Sequence, residues 1–300
     1  MDALFEPGAQ QFLHVPTLLE SSQPKPRVGL FWYALGGFLL VVLGATLVSQ
    51  GSETGRRLVD ALSAVLMVAV IVGMGVFTAI TVKRHRGEQQ EVEAVAELVQ
   101  LRRWPEAAVV LEQVLSRPSR TAALRGQSLI YLGSVLARYH RFDDAIAVFD
   151  HLLDNNLVDA PTAHGLRLGR AMAMLREDHL FDADRALAEI RRAVAVSGGE
   201  SAGLALVEIY RDVKTGHPEE AVAIFNDKLA VLREQLGHRV GDAYALVARA
   251  YDLMGRSAEA QDAYDKATLL APLVELHRRY PEVEKLAGRY TPTAAPPEAG

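Results

Sequence analysis

The side chains in this sequence that could do chemistry are nine histidines and several adjacent pairs of acids. Histidines four residues apart on a helix could bind zinc, and neighbouring carboxylates could act as general acid and base. No two histidines have that spacing, and none lies in an HExxH motif. The acid pairs Asp143–Asp144 and Glu219–Glu220 stand at predicted helix starts, where negative charge stabilises the helix dipole. We therefore favour a structural role for them over catalysis.

The motifs of common enzyme and nucleic-acid-binding classes are also absent from the sequence. There is no P-loop, GxGxxG or GxSxG motif. There is no cysteine, which excludes disulfides, thiolate metal sites and thiol nucleophiles. Residues 87–300 hold 25 Lys and Arg against 32 Asp and Glu, and this balance argues against a nucleic-acid partner. We expect no cofactor, no metal and no enzyme activity; an enzyme of unrecognised type stays open as an alternative.

Two uncharged apolar segments, 28–49 and 61–82, precede the soluble part of the sequence. Each is 22 residues long, and a helix needs about 20 residues to cross a bilayer. We predict two antiparallel transmembrane helices in a hairpin over 28–86, joined by a loop over 50–60. A buried core helix, or for the first segment a signal peptide, is the alternative. No ionisable residue lies inside either span, which argues against a transporter.

Small residues recur at helical spacing in both apolar segments. Such residues let helices approach closely in lipid, so they are candidates for packing within the hairpin or between two copies of the chain. The candidates are Gly37, Gly44, Ala69, Gly73, Gly75 and Ala79.

Positive charge predicts the orientation of the hairpin. Five Lys and Arg flank its outer ends and two lie in its loop. This bias places both termini in the cytoplasm of a bacterial inner membrane. The alternative is the reverse topology, in which the soluble part faces the periplasm or the exterior and assists envelope assembly. Helix is expected to continue from the second span into the soluble part, with a hinge at Gly87.

The stretch "AYALVARAYDLMGRSAEAQDAYDKATLLAP", residues 243–272, predicts two short helices. Ala248 and Ala260 are small where the helices would cross, Gly255 permits a tight turn, and Pro272 ends the second helix. Similar blocks precede it, and we place their crossing alanines at residues 107, 145, 186, 221 and 260.

This pattern resembles the tetratricopeptide repeat over residues 88–272, although the alanine spacings exceed the usual period of about 34. The resemblance implies an all-α fold with an α-solenoid of about five degenerate helix pairs and a C-terminal capping helix. It predicts a mostly irregular tail over 1–27, a solenoid over 87–289 and a disordered tail over 290–300.

In the tetratricopeptide family, the first helices of the repeats line a concave groove that binds peptides or helices of partner proteins. The residues that the resemblance places on this face are Gln127, Ser134, Arg138, Arg170, Met174, Tyr210, Lys214, Asp242, Arg249 and Asp252. Four of them are basic and would suit an acidic or carboxylate-ended peptide. The alternative is that they are solvated cations whose stems cover the helix surface. The leading hypothesis is a non-catalytic scaffold that recruits partner proteins at the membrane.

Overall fold

The structure is a computed structural model that describes residues 13–24, 36–37, 44, 53–119 and 121–290. All regular structure in these residues is helical, which confirms the predicted all-α class. The chain divides into two compact units, Met1–Val135 and Leu136–Gly300.

The first unit contains a long helix that continues into a helix pair. Its described helices include α1 (Val15–Ser21), α2 (Glu53–Gln100), α3 (Trp104–Leu115) and the part of α4 (Ala122–Arg138) up to Val135. Helix α2 has 48 residues, or about 72 Å at 1.5 Å per residue. The predicted continuation is confirmed. The predicted hinge at Gly87 is wrong, because one glycine costs a helix only about 1 kcal/mol. Helix also begins earlier than expected, inside the predicted loop over 50–60.

Helix α1 packs against α3 through buried Leu13, Val15 and Leu18. The Ser119 N–H donates to the Ser22 carbonyl at 3.2 Å. The Arg125 guanidinium, 5% exposed, donates to the Leu19 carbonyl at 2.9 Å. This stretch of the N-terminal segment is therefore an ordered part of the first unit, although we expected mostly irregular backbone there.

Among the described residues, no helix has the length and apolar character needed to cross a membrane. The first predicted span, 28–49, lies outside the described residues except for 36–37 and 44. The second lies within α2, whose large apolar side chains are exposed from Val65 (70%) to Val82 (44%). In the described part of the chain, a Cβ on Gly37, Gly44, Gly73 or Gly75 would meet no atom within 4 Å. The predicted helix contact at these glycines is therefore not seen there.

The second unit is a series of stacked helix pairs. After the end of α4 come α5 (Phe142–Asp154), α6 (Ala160–Arg176), α7 (Leu180–Ser197), α8 (Ala202–Thr215), α9 (Pro218–Leu236), α10 (Val240–Leu253), α11 (Ser257–Leu270), α12 (Leu273–Arg279) and α13 (Pro281–Glu284). A 3-10 turn at Gly237–Arg239 joins α9 to α10. Pairs α6/α7, α8/α9 and α10/α11 each pack together, and α8 also contacts both α6 and α10. We call α6, α8 and α10 the first-helix layer.

The same type of turn joins two consecutive helices at five places in the described residues. Each turn contains a residue with φ between 58° and 79°, and after it a backbone N–H bonds to a carbonyl five residues earlier, as in a Schellman motif. In the last pair, Arg256 N donates to Tyr251 O at 2.9 Å. The turn residues are Arg102, His140, Asp178, Gly216 and Gly255. They are 38, 38, 38 and 39 residues apart, so the pairs share one backbone period.

An alanine stands five residues after every one of these turn residues. All five alanines are 0% exposed: Ala107, Ala145, Ala183, Ala221 and Ala260. In the pairs that lie within one unit, a residue this small allows the two helices to cross closely. The prediction of Ala186 for the third pair is wrong, because Ala183 holds the equivalent position. Residues three apart share a helix face, so spacing alone did not separate them.

Candidate functional site

The C-terminal segment, residues 273–290, lies against the first-helix layer. It consists of α12, α13 and the turns that follow. Pro281 is the first residue of α13, where a proline is tolerated because the first N–H of a helix has no partner within it. Five of its apolar side chains are at most 8% exposed and join the core built by α6 to α11: Leu276, Tyr280, Val283, Leu286 and Tyr290. Tyr280 stacks edge-on against Tyr210 of α8, with ring centroids 5.2 Å apart.

Three cations, each two residues before a turn residue, contact this segment. We call them the cation ladder: Arg138, Arg176 and Lys214, which are 38 residues apart. Arg138 donates two hydrogen bonds to the Glu275 carboxylate, at 2.8 and 3.1 Å.

The other two members of the cation ladder contact the same stretch of the C-terminal segment. The Arg176 guanidinium lies 5.7 Å from the centre of the Tyr280 ring. Lys214 Nζ lies 3.7 Å from Glu282 Oε1. The ladder therefore meets an acid, an aromatic ring and an acid in turn.

Two acids of α10 hold cations of the C-terminal segment. Asp242 is fully buried, and its Oδ2 lies 2.7 Å from Arg279 Nη1. Asp252 Oδ1 accepts from Arg289 Nη1 at 2.8 Å and from the Tyr290 hydroxyl at 3.0 Å. The face thus pairs charges of both signs with the segment.

Burial and charge shift two carboxyl groups at this site in opposite directions. Hydrogen bonds from Arg138, reinforced by Arg278, lower the pKa of Glu275 to about 2. Burial raises the pKa of Asp242, and the nearby Arg279 opposes that rise only in part. The charged form of Glu275 is therefore strongly favoured beside Arg138.

The structure brings together five of the ten residues predicted for the groove. They contact the C-terminal segment: Arg138, Tyr210, Lys214, Asp242 and Asp252. Arg249 forms an ion pair with Asp252 and so reaches the C-terminal segment only through that residue. These residues bind the chain's own segment, and Tyr210 and Asp242 are fully covered. The face that we expected to be open to a partner is occupied.

The other four predicted residues lie elsewhere. Gln127 and Ser134 belong to the first unit and bond within α4, to the Tyr131 hydroxyl and the Ile130 carbonyl. Arg170 and Met174 line a separate cavity of about 360 Å³ between α5, α6 and α7. In that cavity Arg170 Nε lies 2.5 Å from Asp150 Oδ1.

Sequence reasoning missed Arg176, the middle member of the cation ladder. Its position follows from the 38-residue period, which places it midway between Arg138 and Lys214. The sequence analysis names Arg170 as the basic residue of this repeat instead, in a register that the structure does not confirm. A search for basic residues at one constant spacing would have found the ladder.

The acid pairs lie where the sequence places them. Asp143 and Asp144 are in the first turn of α5, and Glu219 and Glu220 are in the first turn of α9. In the residues that the structure covers, no group of three or more His, Asp and Glu could hold a metal ion.

Comparison of the chain with protein-family models, with curated proteins and with solved structures finds no match.

Proposed function

We propose that this chain is a non-catalytic, membrane-anchored scaffold whose helix-pair array binds helical segments of partner proteins on its first-helix layer. The observation that carries the proposal is the cation ladder, which contacts a segment that presents Glu275, Tyr280 and Glu282 to it. An arginine fork fits a carboxylate through two parallel hydrogen bonds, and a cation over an aromatic ring adds attraction. The ladder therefore suits a short helix that presents carboxylates and an aromatic ring to it.

The resemblance to tetratricopeptide repeats stays part of the proposal. The repeated turn and the alanine that follows it at constant spacing support an array of equivalent helix pairs. The period of 38 is longer than the usual period of about 34. Each repeat would therefore be an extended version of the family pattern.

Membrane anchoring is proposed from the sequence of the two apolar segments and from the exposed side chains of α2. Residues Val65–Val82 present large apolar groups that the described residues leave uncovered. Exposing such a surface to water is unfavourable, whereas the apolar core of a bilayer would accommodate it.

The contact between α1 and α3 bears on topology. Helix α1 precedes both apolar segments, and α3 follows both, yet the Ser22 carbonyl accepts from the Ser119 N–H. The two ends of the intervening chain therefore lie on one side of any membrane that it enters. This requires an even number of crossings, which suits the hairpin; its cytoplasmic orientation rests on the flanking charges.

The topology can be tested by labelling, because the chain has no cysteine. Single cysteines replace Glu20, Ser52 and Ser116, and intact spheroplasts are treated with a membrane-impermeant maleimide. We expect labelling at position 52 only. Labelling at position 116 would show that the orientation is the reverse of the one proposed. Labelling at only one of positions 20 and 116 would refute the even number of crossings.

Partner binding is tested by photocrosslinking in cells. A crosslinking amino acid is placed at Arg176 or Lys214, with exposed Arg192 on α7 as the control position. We expect one discrete adduct with another protein from both ladder positions, lost on Arg138→Glu and absent at the control. Equal adducts at all three positions, or none from the ladder, would refute the proposed binding face.

A further inference from the structure

The C-terminal segment makes the contacts that a partner would have to make on the same face. Glu275, Tyr280 and Glu282 meet the cation ladder, while Arg279 meets Asp242. We propose that residues 273–290 are an internal ligand that closes this face. We also propose that the partner is a helical segment of another protein, which presents carboxylates to the cation ladder and competes by the same pattern. The inference rests on the proposed function and specifies the partner and its control.

The contacts define the pattern of the partner. A glutamate is followed by arginine four residues later, tyrosine five residues later and a second glutamate seven residues later. Leu276, Tyr280 and Val283 supply the apolar side at helical spacing, and each is at most 1% exposed. The two glutamates and the arginine all pair with opposite charges on the face, so a segment of reversed charge would be repelled.

The segment is built as an attachment rather than as another helix pair. Helices α12 and α13 have 7 and 4 residues, and helices this short are not stable in water without packing. The link to α11 is short and extended, with φ −148° and ψ 143° at Ala271 and φ −60° and ψ 136° at Pro272. The segment therefore depends on the face for its own structure, and it can leave without breaking a helix of the array.

A tethered ligand has a high effective concentration, so a partner in solution binds only when the internal contact is weakened or outcompeted. This gives the face an off state that does not require the array to unfold. Modest changes at the Arg138–Glu275 pair should therefore produce large changes in access to the face.

The test uses the full chain in detergent and a fluorescent synthetic peptide with the sequence of residues 273–290. Binding is measured by anisotropy for the wild type, for Glu275→Arg and for the charge swap Arg138→Glu/Glu275→Arg. The matched control is Glu284→Arg, a substitution of an exposed acid on the same segment. We expect the peptide to bind Glu275→Arg at least tenfold more tightly than the wild type. The charge swap should bind the peptide no more tightly than the wild type, and the control should match the wild type.

Two results of the binding experiment would overturn the inference. One is equal affinity for the wild type and for a Glu275→Arg chain with unchanged far-ultraviolet circular dichroism. The other is a dimer that exchanges segments between wild-type chains, which would assign the face to a second copy. If Glu275→Arg loses its helical signal, hydrogen exchange of the wild type decides: exchange of 273–290 before α10 supports an internal ligand, and exchange together with α10 refutes it.

These outcomes are distinct from failure of the proposed function. If the peptide binds the opened face but no crosslinked protein is found in cells, the internal ligand is supported and the protein partner is refuted. If a protein crosslinks to a wild-type chain whose C-terminal segment remains protected from exchange, the partner is supported and the internal ligand is refuted.

Discussion

Replacing Glu275 with Gln removes one charge from the C-terminal segment but keeps the length of the side chain and one acceptor oxygen. Glu275 accepts hydrogen bonds from Arg138 and Arg278 at 2.8 to 3.1 Å, and its side chain is 22% exposed. The pKa of its carboxyl falls from 4.5 to about 2. A pKa shift of one unit corresponds to about 1.4 kcal/mol, so ionisation of Glu275 stabilises the folded segment by roughly 3 kcal/mol at pH 7.

The sign follows from proton linkage. Because the pKa is lower in the folded state, the stabilisation is fully present above pH 4.5 and is lost as pH falls toward about 2. At pH 3 about 1.4 kcal/mol should remain. Glu275→Gln should therefore reduce the free energy of opening of α12 by about 3 kcal/mol at pH 7 and by about half that amount at pH 3.

Amide hydrogen exchange at Tyr280 measures this opening, because its N–H bonds to the Leu276 carbonyl at 2.8 Å. The difference between wild type and variant is taken at each pH, so that acid effects elsewhere cancel. Glu284→Gln, at an exposed acid of the same segment, is the control and should change little. A loss that is the same at pH 3 and pH 7, or an equal loss in the control, would refute the assignment of the stabilisation to the Arg138–Glu275 pair.

Three further predictions follow from the repeat register and the cation ladder. Arg176→Leu should raise the exchange rate of α12 about twofold to fivefold through loss of the cation–π contact, whereas Arg170→Leu should leave it unchanged. In urea unfolding, Ala183→Leu should cost about 1–3 kcal/mol by overpacking the helix crossing, and the cost of Ala186→Leu should be smaller; the reverse order would refute the register. Asp178→Gly should stabilise the chain by about 0.5–1 kcal/mol in the same assay, since φ is 61° there; destabilisation would contradict a turn under backbone strain.

Local sequence patterns predicted the helices and the turn at Gly255, because glycine is the residue that most readily adopts a positive φ. The equivalent turns at Arg102, His140 and Asp178 carry no glycine, so the same backbone conformation left no compositional signal. The regular period of 38 was hidden for that reason.

The candidate site was predicted in part, and the misses have physical causes. Helical residues that face one layer were recognised where the repeat was well aligned, as at Arg138, Tyr210 and Lys214. In the third repeat the predicted register was displaced by two residues, so Arg170 and Met174 were named and Arg176 was not. Occupation of the face depends on pairs such as Arg138 with Glu275, 137 residues apart in the chain, and no local periodicity encodes a pairing at that distance.

The unbroken backbone of α2 has a mechanical consequence. Its C-terminal part is fixed in the first helix pair by Val92 and Val95, which are 5% and 1% exposed, and by an ion pair between Glu91 and Arg117. Val82, at the end of the exposed apolar stretch, is only ten residues before Val92, or about 15 Å along the helix axis. No loop lies between them to absorb movement. A tilt or rotation of the apolar part would therefore act on the first helix pair as a stiff lever, and force applied at one end would reach the other as torque.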